Sequence, residues 1–354
     1  MHKVGLARRE DLLSLHTNYH EVCAENATEL GHRMAFLFGD VVHRYLKLAR
    51  KQKGWRQTIA RAWPLWECTV QYFPRYAAEL ESYASTAEIP LPELWALNCE
   101  GDLASREKCT TFVTNNGGLI AHNEDWDDES EDAICVVKKR LPTITIFELY
   151  YYDAPLGGNA FGINSHGYVH AVNSLQHSDY RVGVPKNITA RWLSETRDIV
   201  SDFAKMASFP RASGFNHVVV NRDGVVVNIE TTATRQRLFH PRLPHVHTNH
   251  YLSPEFEPWE EAQSEESSFH RYARACRLLR PEITLDDAVE IVSSTTDGAT
   301  NSIMNKNTIA RVILDLPNDV LKIWLKRERT LGWVRYPLSD VMRQPNFQKD
   351  RRSL

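Results

Sequence analysis

Residues 109–126 read Cys109-Thr-Thr-Phe-Val-Thr-Asn-Asn-Gly-Gly-Leu-Ile-Ala-His-Asn-Glu-Asp-Trp126. Two runs of β-branched and apolar residues flank Asn115-Asn-Gly-Gly118, a combination typical of a tight turn between antiparallel strands. The stretch therefore predicts a hairpin whose two free ends lie side by side. Cys109 and Asp125 stand at those ends, so we expect a thiol and a hydrogen-bond acceptor at one place. By itself, a cysteine at the start of a strand is most often a small buried hydrophobe.

The sequence changes character at this hairpin. Upstream, between residues 11 and 107, apolar residues recur at helical spacing and predict a set of helices. Downstream, strand-like runs alternate with turn residues, and amphipathic helices are predicted at 190–207 and 285–294. The predicted strands and hairpins cover 134–138, 144–152, 161–173, 217–230 and 308–325. This pattern predicts an α+β fold in which helices are layered on a mostly antiparallel sheet.

Composition narrows the class of protein. The chain has 354 residues, 42% of them hydrophobic, and a formal net charge of −3. This composition suits one large globular domain. We do not expect nucleic acid as a partner, because the net charge is too small to give a strong electrostatic field. We do not expect a membrane as a partner either, because no apolar run of about 18 residues is present. Six scattered cysteines without a C-x-x-C pair favour a reduced compartment. With no apolar leader at the start of the sequence, the expected location is the cytoplasm.

The hairpin is one of several motifs that follow in order. The others are Ala27-Thr-Glu-Leu-Gly31, Leu94-Trp-Ala-Leu-Asn98, Gly162-Ile-Asn-Ser-His-Gly167, Ala171-Val-Asn173 and His247-Thr-Asn-His250. Together with Cys109-Thr-Thr111 and Asn123-Glu-Asp-Trp126, they resemble the acyl-coenzyme A:6-aminopenicillanic-acid acyltransferase family of N-terminal-nucleophile hydrolases. Choloylglycine hydrolases and penicillin V acylases are its more distant relatives. The resemblance runs from about residue 27 to residue 325.

The resemblance implies a four-layer αββα sandwich with a helical N-terminal part, working without a cofactor or a metal. It implies self-cleavage between Lys108 and Cys109, which gives a 1–108 segment and a 109–354 catalytic segment within one αββα domain. The product would be an α/β heterodimer, and higher homo-oligomers stay open. The Cys109 α-amine would then take the thiol proton, and an acyl-enzyme would form from a small N-acyl amide or other acyl donor.

The family's site residues carry over to individual positions. Asn249 matches the asparagine that stabilises the oxyanion, and Asp125 the aspartate that orients the new amine. Asn173 matches a second oxyanion residue, and Arg311 either a late active-site arginine or a charge that protects an edge strand. His122 stands where bile-salt hydrolases have an arginine beside the nucleophile. Substrate contacts are expected from three residues: His122, Trp126 and Tyr151.

Two other hypotheses about the function stay open. Lys108 stands before the scissile bond where the acyltransferase commonly has glycine, so the chain could be an uncleaved, non-catalytic scaffold of the same fold. His245, His247 and His250 could instead hold a metal, because His-x-His on a strand puts both rings on one face. That arrangement would make the protein a metal-dependent amidase.

Overall fold

The fold is built from two β-sheets. The computed structural model describes residues 15–99, 108–126, 131–260 and 265–343. The eight-stranded sheet has the order β1-β4-β5-β6-β7-β8-β9-β10, and the six-stranded sheet the order β11-β2-β3-β12-β13-β14. The strands are β1 Tyr19–Cys23, β2 Lys108–Thr114, β3 Leu119–Asp125, β4 Ile134–Leu141, β5 Ile144–Tyr151, β6 Phe161–Asn164, β7 Tyr168–Ser174, β8 Phe215–Asn221, β9 Val226–Thr231, β10 Gln236–Phe239, β11 His245–His247, β12 Thr308–Asp315, β13 Val320–Leu325 and β14 Val334–Pro337.

Helices precede, interrupt and follow the strands. They are α1 Ala27–Ala49, α2 Trp55–Tyr72, α3 Pro74–Thr86, α4 Leu91–Asn98, α5 Lys186–Ser194, α6 Ile199–Lys205, α7 Glu265–Leu278, α8 Leu285–Val292, α9 Gly298–Asn301 and α10 Leu338–Val341. Within the described ranges, no helix combines the length and the apolar character needed to cross a membrane.

Alternation along the strands stacks these elements in four layers. Ile146 and Tyr150 of β5 pack with α1–α4, whereas Phe147 of β5 packs between the two sheets. In β3, Ile120 faces the eight-stranded sheet, and Ala121 packs with α7 and α8. Successive side chains of a strand point to opposite faces, so each sheet is covered on both sides. The order is helices, sheet, sheet, helices, which confirms the αββα prediction.

The β2–β3 hairpin forms as predicted. Its strands pair antiparallel from Lys108 opposite Asp125 to Thr114 opposite Leu119. Asn116 and Gly117 take positive φ in the turn, which asparagine tolerates and glycine favours. A side chain at 117 would also meet the Gly224 backbone, 1.9 Å away, so glycine is needed there. The turn is thus packed, and it fixes the register that places Cys109.

Two predictions of the upstream and middle segments are wrong. Tyr19–Cys23 is not helical but forms a parallel edge strand on β4, so residues before Lys108 share a sheet with residues after it. The single helix predicted over 190–207 is two helices, α5 and α6. The second one starts because the Asp198 side chain accepts hydrogen bonds from the backbone nitrogens of Val200 and Ser201.

Candidate active site

The hairpin register places Cys109 directly opposite Glu124. Residues opposite one another in antiparallel strands share a face, so both side chains point into the space between the sheets. Thr111 and His122, the next opposed pair, lie on the same face. All four side chains are buried. A thiol, a hydroxyl, an imidazole and a carboxylate therefore meet out of contact with solvent.

These groups and Tyr151 form what we call the thiol cluster: Cys109, Thr111, His122, Glu124 and Tyr151. The Cys109 thiol donates to Glu124 Oε1 over 3.6 Å, and the Tyr151 hydroxyl donates to the same oxygen over 2.8 Å. His122 Nε2 lies 2.7 Å from Glu124 Oε2, and His122 Nδ1 lies 2.8 Å from Thr111 Oγ1. Glu124 was missed by the sequence reasoning, although the predicted register alone puts it opposite Cys109.

Asn249 holds the backbone nitrogen of Cys109. The Cys109 N–H donates to Asn249 Oδ1 over 2.9 Å, and Arg271 Nη2 donates to the same oxygen over 2.7 Å. A guanidinium only donates, so the Asn249 atom that faces it must be the oxygen. The Asn249 amide nitrogen then donates to the Ser174 carbonyl at 3.0 Å. The oxyanion role expected for Asn249 stays a prediction, because in this arrangement that nitrogen is already bonded.

Hydrogen bonds to α7 and to β9 anchor the loop that carries Asn249. The backbone nitrogen of Asn249 donates to Ser268 Oγ of α7 at 2.8 Å. Glu230 of β9 accepts the backbone N–H groups of Leu252 and Ser253 and lies 3.1 Å from His247 Nε2. Burial raises the pKa of Glu230, but these hydrogen bonds outweigh it and leave the pKa below its usual value. The charged carboxylate therefore fixes the position of the loop.

Arg271 is a buried residue of α7 that sequence reasoning missed. Its Nη1 donates to the Cys109 carbonyl oxygen at 2.6 Å and to Thr110 Oγ1 at 2.9 Å. Burial lowers the pKa of Arg271, and the negative charges of Asp125 and Cys109 act against that shift. No motif distinguishes this arginine from the others in an amphipathic helix, so the sequence holds no signal for it.

Asp125 lies on the opposite face of β3 from the thiol cluster. Thr308 Oγ1 donates to its Oδ1 at 2.6 Å, and Asn305 Nδ2 donates to its Oδ2 at 2.7 Å. Burial raises the pKa of Asp125 to about 6, even though Arg271 and the two hydrogen bonds favour its ionised form. Asp125 is opposite Lys108, of which only the backbone is described, and is thus beside the expected scissile bond.

The structure also brings Asn173 and Trp126 near the thiol cluster. Asn173 Oδ1 accepts from Thr111 Oγ1 at 3.1 Å and from Asn216 Nδ2 at 3.3 Å. The Asn173 amide nitrogen is buried and makes no hydrogen bond within the described part of the chain. The Trp126 ring packs against Tyr151, with 5.8 Å between centroids. Asn173 thus offers an unused donor, and Trp126 packs beside a member of the thiol cluster.

Arg311 does not join these residues. It lies opposite Asn123, whose amide donates to the Val292 carbonyl of α8, so Arg311 faces the helices. Its guanidinium lies 4.0 Å above the Trp324 ring. The edge-strand alternative is wrong as well, because β12 lies between β3 and β13. The reason is the strand alternation, which sends position 311 away from the space between the sheets.

The three candidate metal ligands bond to separate partners. His245 Nε2 is 3.1 Å from Asn228 Oδ1, and His247 contacts Glu230. His250 Nδ1 is 2.8 Å from Ser268 Oγ. In the part of the chain that the structure describes, the one triad of ligand atoms within 4.8 Å of each other is Cys109, His122 and Glu124. The structure thus gives no support to the His245/His247/His250 centre of a metal-dependent amidase.

Comparisons with known proteins place this geometry in context. No curated protein matches the chain. Among solved structures, it is similar to a mutant of the conjugated bile acid hydrolase from Clostridium perfringens, with 10% identity, 68% of this chain and 94% of that chain covered, and a TM-score of 0.44. It is also similar to penicillin V acylase from Agrobacterium tumefaciens, with 14% identity, 62% of this chain and 83% of that chain covered, and a TM-score of 0.40.

Residues 113–330, more than half of the chain, match the family described as acyl-coenzyme A:6-aminopenicillanic acid acyl-transferase. The chain belongs to the acyl-coenzyme A:6-aminopenicillanic acid acyl-transferase family.

Proposed function

We propose that this protein is a self-cleaving cysteine amidohydrolase or acyltransferase that carries its acyl-enzyme on Cys109. The observation that carries the proposal is that two hydrogen bonds fix Cys109, one at its nitrogen and one at its thiol. Its nitrogen is bonded to Asn249 Oδ1, and its buried thiol is bonded to Glu124 Oε1. A nucleophile needs a fixed direction of attack, and these two contacts hold the Cys109 nitrogen and thiol in one orientation.

Cleavage between Lys108 and Cys109 would turn the bonded amide nitrogen into an α-amine. That amine would keep Asn249 Oδ1 as its acceptor, while the Arg271 contact holds the Asn249 amide in place. An α-amine has a pKa near 7.7–8.0, so it can take the thiol proton at neutral pH. The two chains would stay together as an α/β heterodimer, because β1 pairs with β4 and α1–α4 cover the same sheet.

In turnover, the Cys109 thiolate would attack the carbonyl carbon of a small N-acyl amide. The unbonded amide nitrogen of Asn173 is the donor we assign to the oxyanion, because buried donors aimed at developing charge stabilise the transition state. The amine leaves and an acyl group remains on the sulfur. His122, Trp126 and Tyr151 would contact the acyl group, and water or a second amine would then release it.

Intact-mass analysis and acyl labelling test the proposal. Purified protein should give chains 1–108 and 109–354, and Cys109→Ala should give one chain of 354 residues. With para-nitrophenyl hexanoate as the probe, the 109–354 chain should gain one hexanoyl group that hydroxylamine removes. Cys276→Ala is the matched control, because Cys276 is an exposed free thiol elsewhere, and it should still be labelled. A wild-type chain that stays whole and takes no acyl group would favour the non-catalytic scaffold.

A further inference from the structure

The proposed self-cleavage poses a chemical problem that the mature enzyme does not have. Before cleavage, the Cys109 nitrogen is an amide that donates its hydrogen to Asn249 Oδ1. An amide nitrogen is not a base near neutral pH, so it cannot take the thiol proton. The precursor therefore needs another proton acceptor close to the Cys109 sulfur, and this inference rests on the proposed function.

Glu124 is in the position that such an acceptor requires. It lies directly opposite Cys109 in the hairpin, and its Oε1 is 3.6 Å from the sulfur. The carboxylate is buried, so no layer of bulk water separates it from the thiol. We propose that Glu124, paired with His122, is the general base that deprotonates Cys109 in the self-cleavage step.

Hydrogen bonds within the thiol cluster hold the Glu124 carboxylate beside the Cys109 thiol. Thr111 Oγ1 has a single hydrogen and donates it to Asn173 Oδ1, which also accepts from Asn216 Nδ2. The contact between His122 Nδ1 and Thr111 Oγ1 must then be donated by the imidazole. His122 Nε2 lies 2.7 Å from Glu124 Oε2. His122 is thus fixed at both ring nitrogens, and it orients the Glu124 carboxylate so that Oε1 lies beside the Cys109 sulfur.

The step balances within the cluster and one water molecule. The Cys109 S–H proton moves to Glu124 Oε1, and the thiolate attacks the Lys108 carbonyl carbon. Glu124 returns the proton to the Cys109 nitrogen as the carbon–nitrogen bond breaks, leaving a thioester between Lys108 and the sulfur. Water hydrolyses the thioester, giving a Lys108 carboxylate, the free thiol and the new α-amine.

This division of labour separates cleavage from turnover. Once cleavage has produced the α-amine, that amine can take the thiol proton, and Glu124 is no longer the only base. Losing Glu124 should thus slow the appearance of the 1–108 chain far more than it slows turnover by molecules already cleaved. A residue needed only for folding would affect both rates alike.

Glu124→Gln tests this, because glutamine keeps the size and the acceptor for Tyr151 but cannot take up a proton. We expect cleavage at least about 100-fold slower than in wild type, within the range for a lost general base. Hexanoyl transfer per cleaved molecule, counted by active-site labelling, should fall by a much smaller factor than cleavage does, because the new α-amine can then take the thiol proton. Glu131→Gln, which changes a glutamate paired with Arg329 outside the thiol cluster, is the matched control and should cleave at the wild-type rate.

A second variant protects the test against misfolding. Glu124→Ala leaves room for a small carboxylate, so sodium formate should restore part of its cleavage and sodium chloride should not. Wild-type cleavage rates in Glu124→Gln, or equal losses of cleavage and turnover, would overturn this inference alone. A wild-type chain that never cleaves would overturn the proposed function and this inference with it.

Discussion

Cys109 depends on contacts that come from a helix far along the chain. Arg271 of α7 donates to the Cys109 carbonyl, to Thr110 and to Asn249. These contacts need the planar fork of a guanidinium, which a lysine ammonium cannot reproduce. Arg271 is thus a positioning residue, which acts on the nucleophile through the backbone and through Asn249.

Arg271→Lys should keep the buried positive charge and lose the fork. We expect cleavage and hexanoyl transfer to fall together by about 10- to 100-fold, because a misplaced nucleophile affects both steps. Arg274→Lys on the same helix, which changes a more exposed arginine near Asp297, is the control and should leave both rates unchanged. Rates measured by gel and by nitrophenol release check this, and a wild-type rate in Arg271→Lys would remove Arg271 from the site.

The sequence predicts contacts between residues of one hairpin better than contacts between residues that are far apart in the chain. Cys109, Asp125 and Glu124 lie on one hairpin, whose register fixes their neighbours. The acceptor expected beside the Cys109 thiol was Asp125, but strand alternation turns Asp125 to the other face, and Glu124 is the acceptor. Arg271 and Cys109 are brought together by the packing of α7, which no local pattern reveals. Arg311 was expected in the active site because a charged residue in an otherwise apolar strand is typical of a functional residue. Strand alternation instead turns its side chain toward the helices.

At the scale of elements, the contact between α1 and α3 depends on one glycine. A Cβ at Gly31 would lie 2.0 Å from the Glu79 backbone oxygen of α3, far inside contact distance. Gly39, two turns later, faces the Ala87 Cβ at 3.1 Å, a contact with a side chain rather than backbone. The two helices can approach closely at residue 31 only because no side chain is there.

Gly31→Ala should therefore lower the free energy of unfolding by about 3 kcal/mol, the upper range for overpacking. Gly39→Ala is the matched control, and its change should stay within about 1 kcal/mol, because helix propensity offsets a milder contact. Urea unfolding of both variants in the Cys109→Ala background checks the difference, since that chain should stay whole. Equal changes in the two variants would contradict the assigned role of Gly31.

Element prediction succeeded where local signals were strong. The turn at Asn115-Asn-Gly-Gly118 and the Asp223-Gly224 turn mark hairpins that form as predicted. Tyr19–Cys23 was missed because its strand exists only through pairing with β4, more than a hundred residues later. Long-range pairing overrides local propensity, and a single sequence does not contain it.

On the scale of the whole molecule, burial keeps many histidines uncharged. Among the described residues, burial lowers the pKa of five buried histidines to about 4 or about 3: His16, His170, His177, His245 and His250. Burial also lowers the pKa of a sixth, His217, well below its usual value. In the unfolded chain each would titrate near 6.5. Below that pH the unfolded chain binds protons that the folded protein does not, so acidification favours unfolding.

Asp125 acts in the opposite direction, because its raised pKa of about 6 makes the folded protein take up a proton on acidification. Burial also raises the pKa of Glu79, but two carboxyl groups cannot offset six histidines. Summed over these groups, the free energy of unfolding should fall by roughly 5 kcal/mol between pH 6.5 and 5.5, at up to about 1.4 kcal/mol per group and pH unit. That loss equals the whole stability of many domains.

Urea unfolding of Cys109→Ala at pH 7.5, 6.5 and 5.5 measures this loss of stability. We expect a small change above pH 6.5 and a steep loss below; a stability that stays level down to pH 5.5 would mean that these histidines become protonated within the folded protein.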